Sequence, residues 1–135
     1  MILWQESYST GVAELDKQHK ALFQCTNELG KAIEDNALSP RIIDETLIYL
    51  KKYIQVHFGH EETCMHRFAC PIATKNKEAH EKFIQKFKTL EEKIKSDETK
   101  DEPIIELHHF LETWLVDHIG RIDTQIKPCA PPQSL

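Results

Sequence analysis

Apolar residues recur at alternating spacings of three and four along most of this 135-residue chain. That spacing brings one residue to the same helix face at each turn, so each run predicts an amphipathic helix with one buried stripe. The runs extend from Leu15 to Ile33, from Ile43 to Met65, from Ala73 to Ile94 and from Ile104 to Ile122. The pattern therefore predicts four long helices.

The breaks between the runs contain residues that start or stop helices. They are Ser39-Pro40, Cys70-Pro71 and Glu102-Pro103. Because short connections favour antiparallel neighbours, we predict an all-α fold, an up-down-up-down four-helix bundle with an irregular N-terminal arm before Gly11. Residues 1–126 are assigned to this single domain and residues 127–135 to a Pro-rich C-terminal tail.

Composition narrows the classes of function. The formal charge is −5, and the lysines and arginines are spread along the chain, so no basic stripe predicts binding to nucleic acid. The segment Met1–Glu6 has no apolar signal-peptide core, and no apolar run is long enough to span a membrane. We therefore expect a cytoplasmic protein without a membrane partner, whose four cysteines are reduced.

Six polar residues interrupt the apolar stripes, at positions where a core is expected. A buried polar group without a partner costs about 2–7 kcal/mol, whereas a domain is stable by only about 5–15 kcal/mol. Either mutual hydrogen bonds or a metal ion must therefore compensate them. The six are His19, His57, Glu61, Asn76, His80 and His118.

In an antiparallel bundle these positions all fall at the same end, in one layer. His57 and Glu61 share a helix face because they are four residues apart. Asp123 follows His118 by five residues, about 140° of helical rotation, so it reaches the layer only from the helix edge or from a loosened last turn. Imidazole and carboxylate donors without thiolate suit iron, and also manganese or zinc.

Each of these residues also has a plainer interpretation. A single core histidine is more often hydrogen-bonded than metal-bound, and only the convergence of four favours a metal site. Asn76 is either a ligand or a polar residue that fixes the register of the helices. Trp114 and Leu115 pack the core, or additionally cover an open metal position, and Glu62 is either exposed or a neighbour of the site.

At these residues the sequence resembles the hemerythrin family, in its bacterial single-domain branch, from Trp4 to Ile126. The matching residues are Trp4, Gly11-Val12, Asp16-Lys17-Gln18-His19, His57-Phe58, Glu61-Glu62, Met65, Pro71, His80, Phe83, Trp114-Leu115, His118-Ile119 and Asp123.

The resemblance implies a centre of two non-haem iron ions. One iron would be held by His19 and His57 and the other by His80 and His118. Two carboxylates, those of Glu61 and Asp123, would bridge the irons together with an oxo or hydroxo group. Leu115 matches the family's pocket leucine beside the position where dioxygen binds.

Asn76 departs from the family pattern, which has a fifth histidine four residues before the one that matches His80. A neutral amide is a poorer donor than imidazole, so the iron held by His80 and His118 would carry a water or an open position.

The first hypothesis is a dioxygen-binding protein for storage, delivery or sensing. The alternative is a di-iron oxidase or peroxidase acting on peroxide or nitric oxide, and a third hypothesis is a metal-stabilised interaction domain. The sequence does not identify a protein partner.

Overall fold

The computed structural model describes residues 1–96 and 101–129, and in these ranges the predicted all-α four-helix bundle is confirmed. The second bundle helix is built from α2, a π-helical segment and α3, and the fourth from α5 and a second π-helical segment. The bounds are α1 Ala13–Glu34, α2 Pro40–Tyr53, π-helical Ile54–Phe58, α3 Gly59–Arg67, α4 Ala73–Ser96, α5 Glu102–Thr113 and π-helical Trp114–Ile119. Helix α1 packs against α2 and α5, and α4 packs against α3 and α5.

The predicted helix boundaries follow the expected capping chemistry. The backbone N–H of Ile42 donates to the Ser39 hydroxyl at 3.2 Å, and Pro40 occupies the first turn of α2. This hydrogen bond satisfies one of the N–H groups that a helix start leaves without a partner. Helix α5 begins at Glu102 with Pro103 behind it, as predicted.

The two π-helical segments were not predicted. In such a segment the backbone hydrogen bonds reach back five residues, and the N–H of Gly120 donates to the carbonyl of Leu115 at 3.3 Å. The spacing of apolar residues between Ile43 and Met65 predicts Ile54 in the buried stripe, but in the structure Tyr53 is buried and Ile54 is only half-buried.

The N-terminal arm is fixed to α1 by hydrogen bonds. Asp16 accepts hydrogen bonds from the Ser9 hydroxyl at 2.7 Å and from the Thr10 backbone N–H at 2.7 Å. Between them and the helix lies Gly11 with φ +79°, a left-handed conformation that glycine adopts without strain. A 3-10 turn, Glu6–Tyr8, interrupts the otherwise irregular arm.

A disulfide joins Cys70 to Cys129, with a Cα–Cα distance of 5.8 Å. The prediction of reduced cysteines is therefore wrong for this pair, while Cys25 and Cys64 are free thiols. Spacing could not reveal the pair, because its members are 59 residues apart and meet only through the fold. Of the predicted tail the structure describes residues 127–129, and residues 130–135 lie outside the described ranges.

Two apolar clusters flank the polar layer. The larger contains several aromatic rings, among them Phe58, Phe83 and Trp114. The smaller lies at the end of the bundle and includes Leu15 and Met65. The polar layer thus lies between two water-excluding clusters. Within the described residues, none of the helices has the length and apolarity needed to cross a bilayer.

Candidate metal centre

All six residues predicted as metal ligands converge in one buried layer, and each is at most 4% exposed. They come from every bundle helix and from a short 3-10 helix, Asp123–Ile126, that follows the fourth. They are His19 on α1, His57 in the first π-helical segment, Glu61 on α3, His80 on α4, His118 in the second π-helical segment and Asp123 at the start of the 3-10 helix.

The two carboxylate oxygens of Glu61 contact different histidines, and these contacts divide the layer into two halves. Its Oε2 lies 3.2 Å from His19 Nε2 and 3.3 Å from His57 Nε2. Its Oε1 lies 3.0 Å from His80 Nε2. The carboxylate of Glu61 therefore connects a pair of histidines on one side with a histidine on the other.

Asp123 repeats this arrangement from the opposite side. Its Oδ2 lies 3.1 Å from His19 Nε2, and its Oδ1 lies 2.9 Å from His118 Nε2. The fourth helix ends at Ile119 and Asp123 begins the 3-10 helix that follows, so this carboxylate reaches the layer from a loosened helix end. Its role as a metal ligand stays a prediction.

The donor atoms form two overlapping groups that share both carboxylates. In each group the candidate donor atoms lie within 4.8 Å of one another. One group is His19, His57, Glu61 and Asp123, and the other is Glu61, His80, His118 and Asp123. Two metal positions with two common carboxylates match this arrangement.

Although these atoms lie close together, most of them form no hydrogen bond with each other. Buried atoms without a hydrogen-bond partner include Nε2 of His19, His57 and His118, Oε2 of Glu61 and both carboxylate oxygens of Asp123. Each such atom costs about 1–3 kcal/mol when nothing satisfies it. Cations between these atoms would satisfy all of them, so the residues present fit a metal centre.

Comparison with known proteins agrees with this chemistry. Residues 10–130 match the family model described as "Hemerythrin HHE cation binding domain". The chain belongs to the hemerythrin family. Family membership and the shared-carboxylate cluster together support a di-iron binding protein.

Individual hemerythrin relatives match over most of the chain. A bacteriohemerythrin of Clostridium acetobutylicum is 26% identical over 127 residues, which are 93% of this chain and 98% of that protein. A bacteriohemerythrin of Methylococcus capsulatus is 29% identical, with 90% of each chain covered. A hemerythrin-like protein of Naegleria gruberi is 31% identical over 124 residues, which are 92% of this chain and 89% of that protein.

The carboxylates of this hemerythrin centre favour positive charge. Burial lowers the pKa of His19, but its contacts with Asp123 and Glu61 outweigh burial and raise that pKa to about 10. Burial raises the pKa of Glu61, yet the contacts with His19, His57 and His80 hold it well below the usual value. At His57 burial prevails and the pKa is lowered. A metal cation would be stabilised by the same two carboxylates.

Asn76, the departure from the family pattern, faces the same centre. It is fully buried, and its Nδ2 donates to Glu61 Oε1 at 3.1 Å. The same oxygen contacts His80 Nε2 at 3.0 Å. The Oδ1 atom of Asn76 has no hydrogen-bond partner in the described structure. The structure thus places Asn76 beside the His80 half of the layer.

Aromatic rings cover two of the histidines on the core side. Phe58 stacks on His80 with 3.9 Å between ring centroids, and Trp114 stacks on His118 with 3.8 Å. These contacts fix the imidazole planes and exclude water from one face of the centre. Leu115 is fully buried in the larger core cluster, and its role beside a bound ligand stays a prediction.

Two polar residues contact the outer nitrogens, Nδ1, of His57 and His80. Gln18 was not among the predicted site residues, whereas Glu62 was predicted to be either exposed or a neighbour of the site. Gln18 Oε1 accepts from His57 Nδ1, and Glu62 Oε2 accepts from His80 Nδ1 at 2.7 Å. Each is the chain neighbour of a candidate ligand and lies off the apolar stripe. In the sequence, only their position next to His19 and Glu61 indicates that they lie near the site.

Proposed function

We propose that this hemerythrin binds dioxygen at a di-iron centre, as a protein of oxygen storage, delivery or sensing. The observation that carries the proposal is the pair of overlapping donor groups that share Glu61 and Asp123. Carboxylates are the usual bridges between paired irons in helical bundles. The resemblance to bacterial hemerythrins supplies dioxygen as the ligand.

In this proposal each part of the site has one task. His19 and His57 would hold one iron, and His80 and His118 would hold the other. Glu61 and Asp123 would supply carboxylate oxygens to both, since each presents one oxygen to each half. When bound, two ferrous ions supply the electrons that reversible dioxygen binding requires. The apolar clusters on both sides keep water away from the centre.

We expect the purified chain, loaded anaerobically with ferrous iron, to hold two irons. Admission of oxygen should produce a visible absorption that disappears when oxygen is removed. The measurement combines metal analysis with optical spectra under both atmospheres. Zinc-loaded protein is the control and should stay colourless. One iron per chain, or two irons with no response to oxygen, would contradict the proposal.

A second candidate function is a di-iron oxidase or peroxidase that acts on peroxide or nitric oxide. Asn76 favours it, because an amide stands where the family pattern has an imidazole. Its Oδ1 atom is buried without a partner, and its Nδ2 occupies a lone pair of Glu61 Oε1. A weaker donor set on the His80 half leaves more room for a reacting molecule.

Asn76→His is expected to separate the two functions. Position 76 precedes His80 by one helical turn and faces the same layer, so an imidazole there completes the family's donor set. We expect slower autoxidation of the oxygenated protein and lower peroxide-dependent turnover than in the wild type, both followed optically. Asn76→Ala is the control, because it removes the amide without adding a donor. Equal autoxidation rates in wild type and Asn76→His would exclude control of the centre by position 76.

A further inference from the structure

The outer nitrogens of two histidines meet acceptors of different charge, one on each half of the centre. On one half, His57 Nδ1 donates to the neutral amide oxygen of Gln18. On the other half, His80 Nδ1 donates to the carboxylate of Glu62 at 2.7 Å. The outer nitrogens of the two histidines are thus supported unequally.

Because Nδ1 makes the outer contact in both rings, Nε2 is the nitrogen of each ring that faces the centre and is available to a metal ion. His80 is 1% exposed and Glu62 33% exposed, so the ring is held from a partly hydrated position near the protein surface. Phe58 stacks on the same ring and prevents it from tilting. The orientation of His80 is therefore determined from two sides.

The Glu62 carboxylate and the Gln18 amide affect their histidines to different degrees, because only the carboxylate is charged. A hydrogen bond from imidazole to a carboxylate is stronger than one to a neutral amide and increases the electron density on the ring. The ring of His80 therefore becomes a better donor than the ring of His57. The gain falls on the half where Asn76 replaces an imidazole.

We infer that Glu62 is a positioning residue that strengthens metal binding by the His80 and His118 half and offsets the weak donor at Asn76. Gln18 has the corresponding but weaker role for His57. The Gln18 side chain is itself oriented by a contact of 3.4 Å from its Nε2 to His60 Nδ1. This inference rests on the proposed metal centre and adds to it a difference in affinity between the two positions.

The test uses Co²⁺ as a redox-inert probe, titrated into the full chain and followed by its visible absorption. Wild type is expected to bind two Co²⁺. Glu62→Gln retains an acceptor oxygen but removes the charge, and it should weaken one of the two positions by about 10–100-fold and leave the other unchanged. Gln18→Glu is the reciprocal variant and should strengthen the other position.

A double-mutant cycle assigns the affected position. In a His80→Ala background the remaining high-affinity position is that of His19 and His57. Glu62→Gln should then have no further effect on Co²⁺ affinity, whereas Gln18→Ala should still lower it. Circular dichroism and thermal melts of each variant before metal addition show that the bundle is folded.

The outcomes distinguish this inference from the proposed function. A wild type that binds no Co²⁺ and no Fe²⁺ would overturn the metal centre itself. If wild type binds two ions and Glu62→Gln binds both with unchanged affinity, only the role of Glu62 is refuted. Equal weakening of both positions by Glu62→Gln would show a general structural effect and would also overturn the inference.

Discussion

Glu61→Ala is expected to reduce the iron content from two per chain to one or fewer. The side chain contacts three histidines, His19 and His57 through Oε2 and His80 through Oε1. Alanine removes the donor shared by both halves and leaves the imidazoles with half of their compensating negative charge. Metal analysis after anaerobic loading and desalting measures the loss.

Two further variants make this result interpretable. Glu61→Gln preserves size and one acceptor oxygen, so a similar loss would assign the effect to the charge. Glu81→Ala removes an exposed glutamate from α4 and should retain both irons. Full iron content in Glu61→Ala would show that Glu61 is not a ligand, and the bridging role would have to be abandoned.

Cys129→Ser is expected to lower the free energy of unfolding by about 2–4 kcal/mol. The disulfide from Cys129 to Cys70 closes a loop of 59 residues, and such a closure removes conformations from the unfolded chain. It also ties the chain beyond Asp123 to the connection that precedes α4. Denaturant unfolding under oxidising conditions, with the slope compared between variants, measures the change.

Reduction of the wild type is an independent check on this loss. A thiol reductant should lower the stability of the wild type to that of Cys129→Ser and leave the variant unchanged. Cys25→Ser replaces a free thiol and serves as the matched control, with a much smaller effect expected. Identical unfolding of the wild type with and without reductant would show that the disulfide does not stabilise the protein.

The helices and the convergence of the candidate ligands were predictable because both follow from one period. A histidine in an apolar stripe must be buried, and alternating helix directions bring the starts of α1 and α4 to the same end as the later parts of the other two helices. The position of Asp123 also followed, because five residues are incompatible with one helix face. Either the helix edge or a loosened last turn would bring it to the layer, and in the structure Asp123 begins a 3-10 helix after the fourth helix has ended.

The remaining features depend on contacts that the helical period of the apolar residues does not determine. Cys70 and Cys129 become neighbours only after the bundle forms, so cysteine spacing gave no sign of their pairing. Gln18 lies off the stripe and resembles an ordinary surface residue until the ring of His57 is placed beside it. For Glu62 the sequence left a surface position and a position beside the site open, and the contact with His80 decides for the second. Burial of Tyr53 in preference to Ile54 was not predictable, because steps of three and of four residues from Leu50 both fit a buried helix stripe. The change to π-helix at Ile54 also has no sign in the composition.

The change to π-helix affects the positions of two candidate ligands and not the packing of the helices on either side of it. Each π-helical segment, Ile54–Phe58 and Trp114–Ile119, accommodates one surplus residue as a bulge between regular helical turns. A chain shortened by that residue can close the bulge into ordinary helix and keep both flanks in place. His57 and His118 would then lose the displacement that the bulge gives them. The backbone is thus longer than the packing of the helices needs, by one residue on each of two helices, at the positions where these histidines enter the layer.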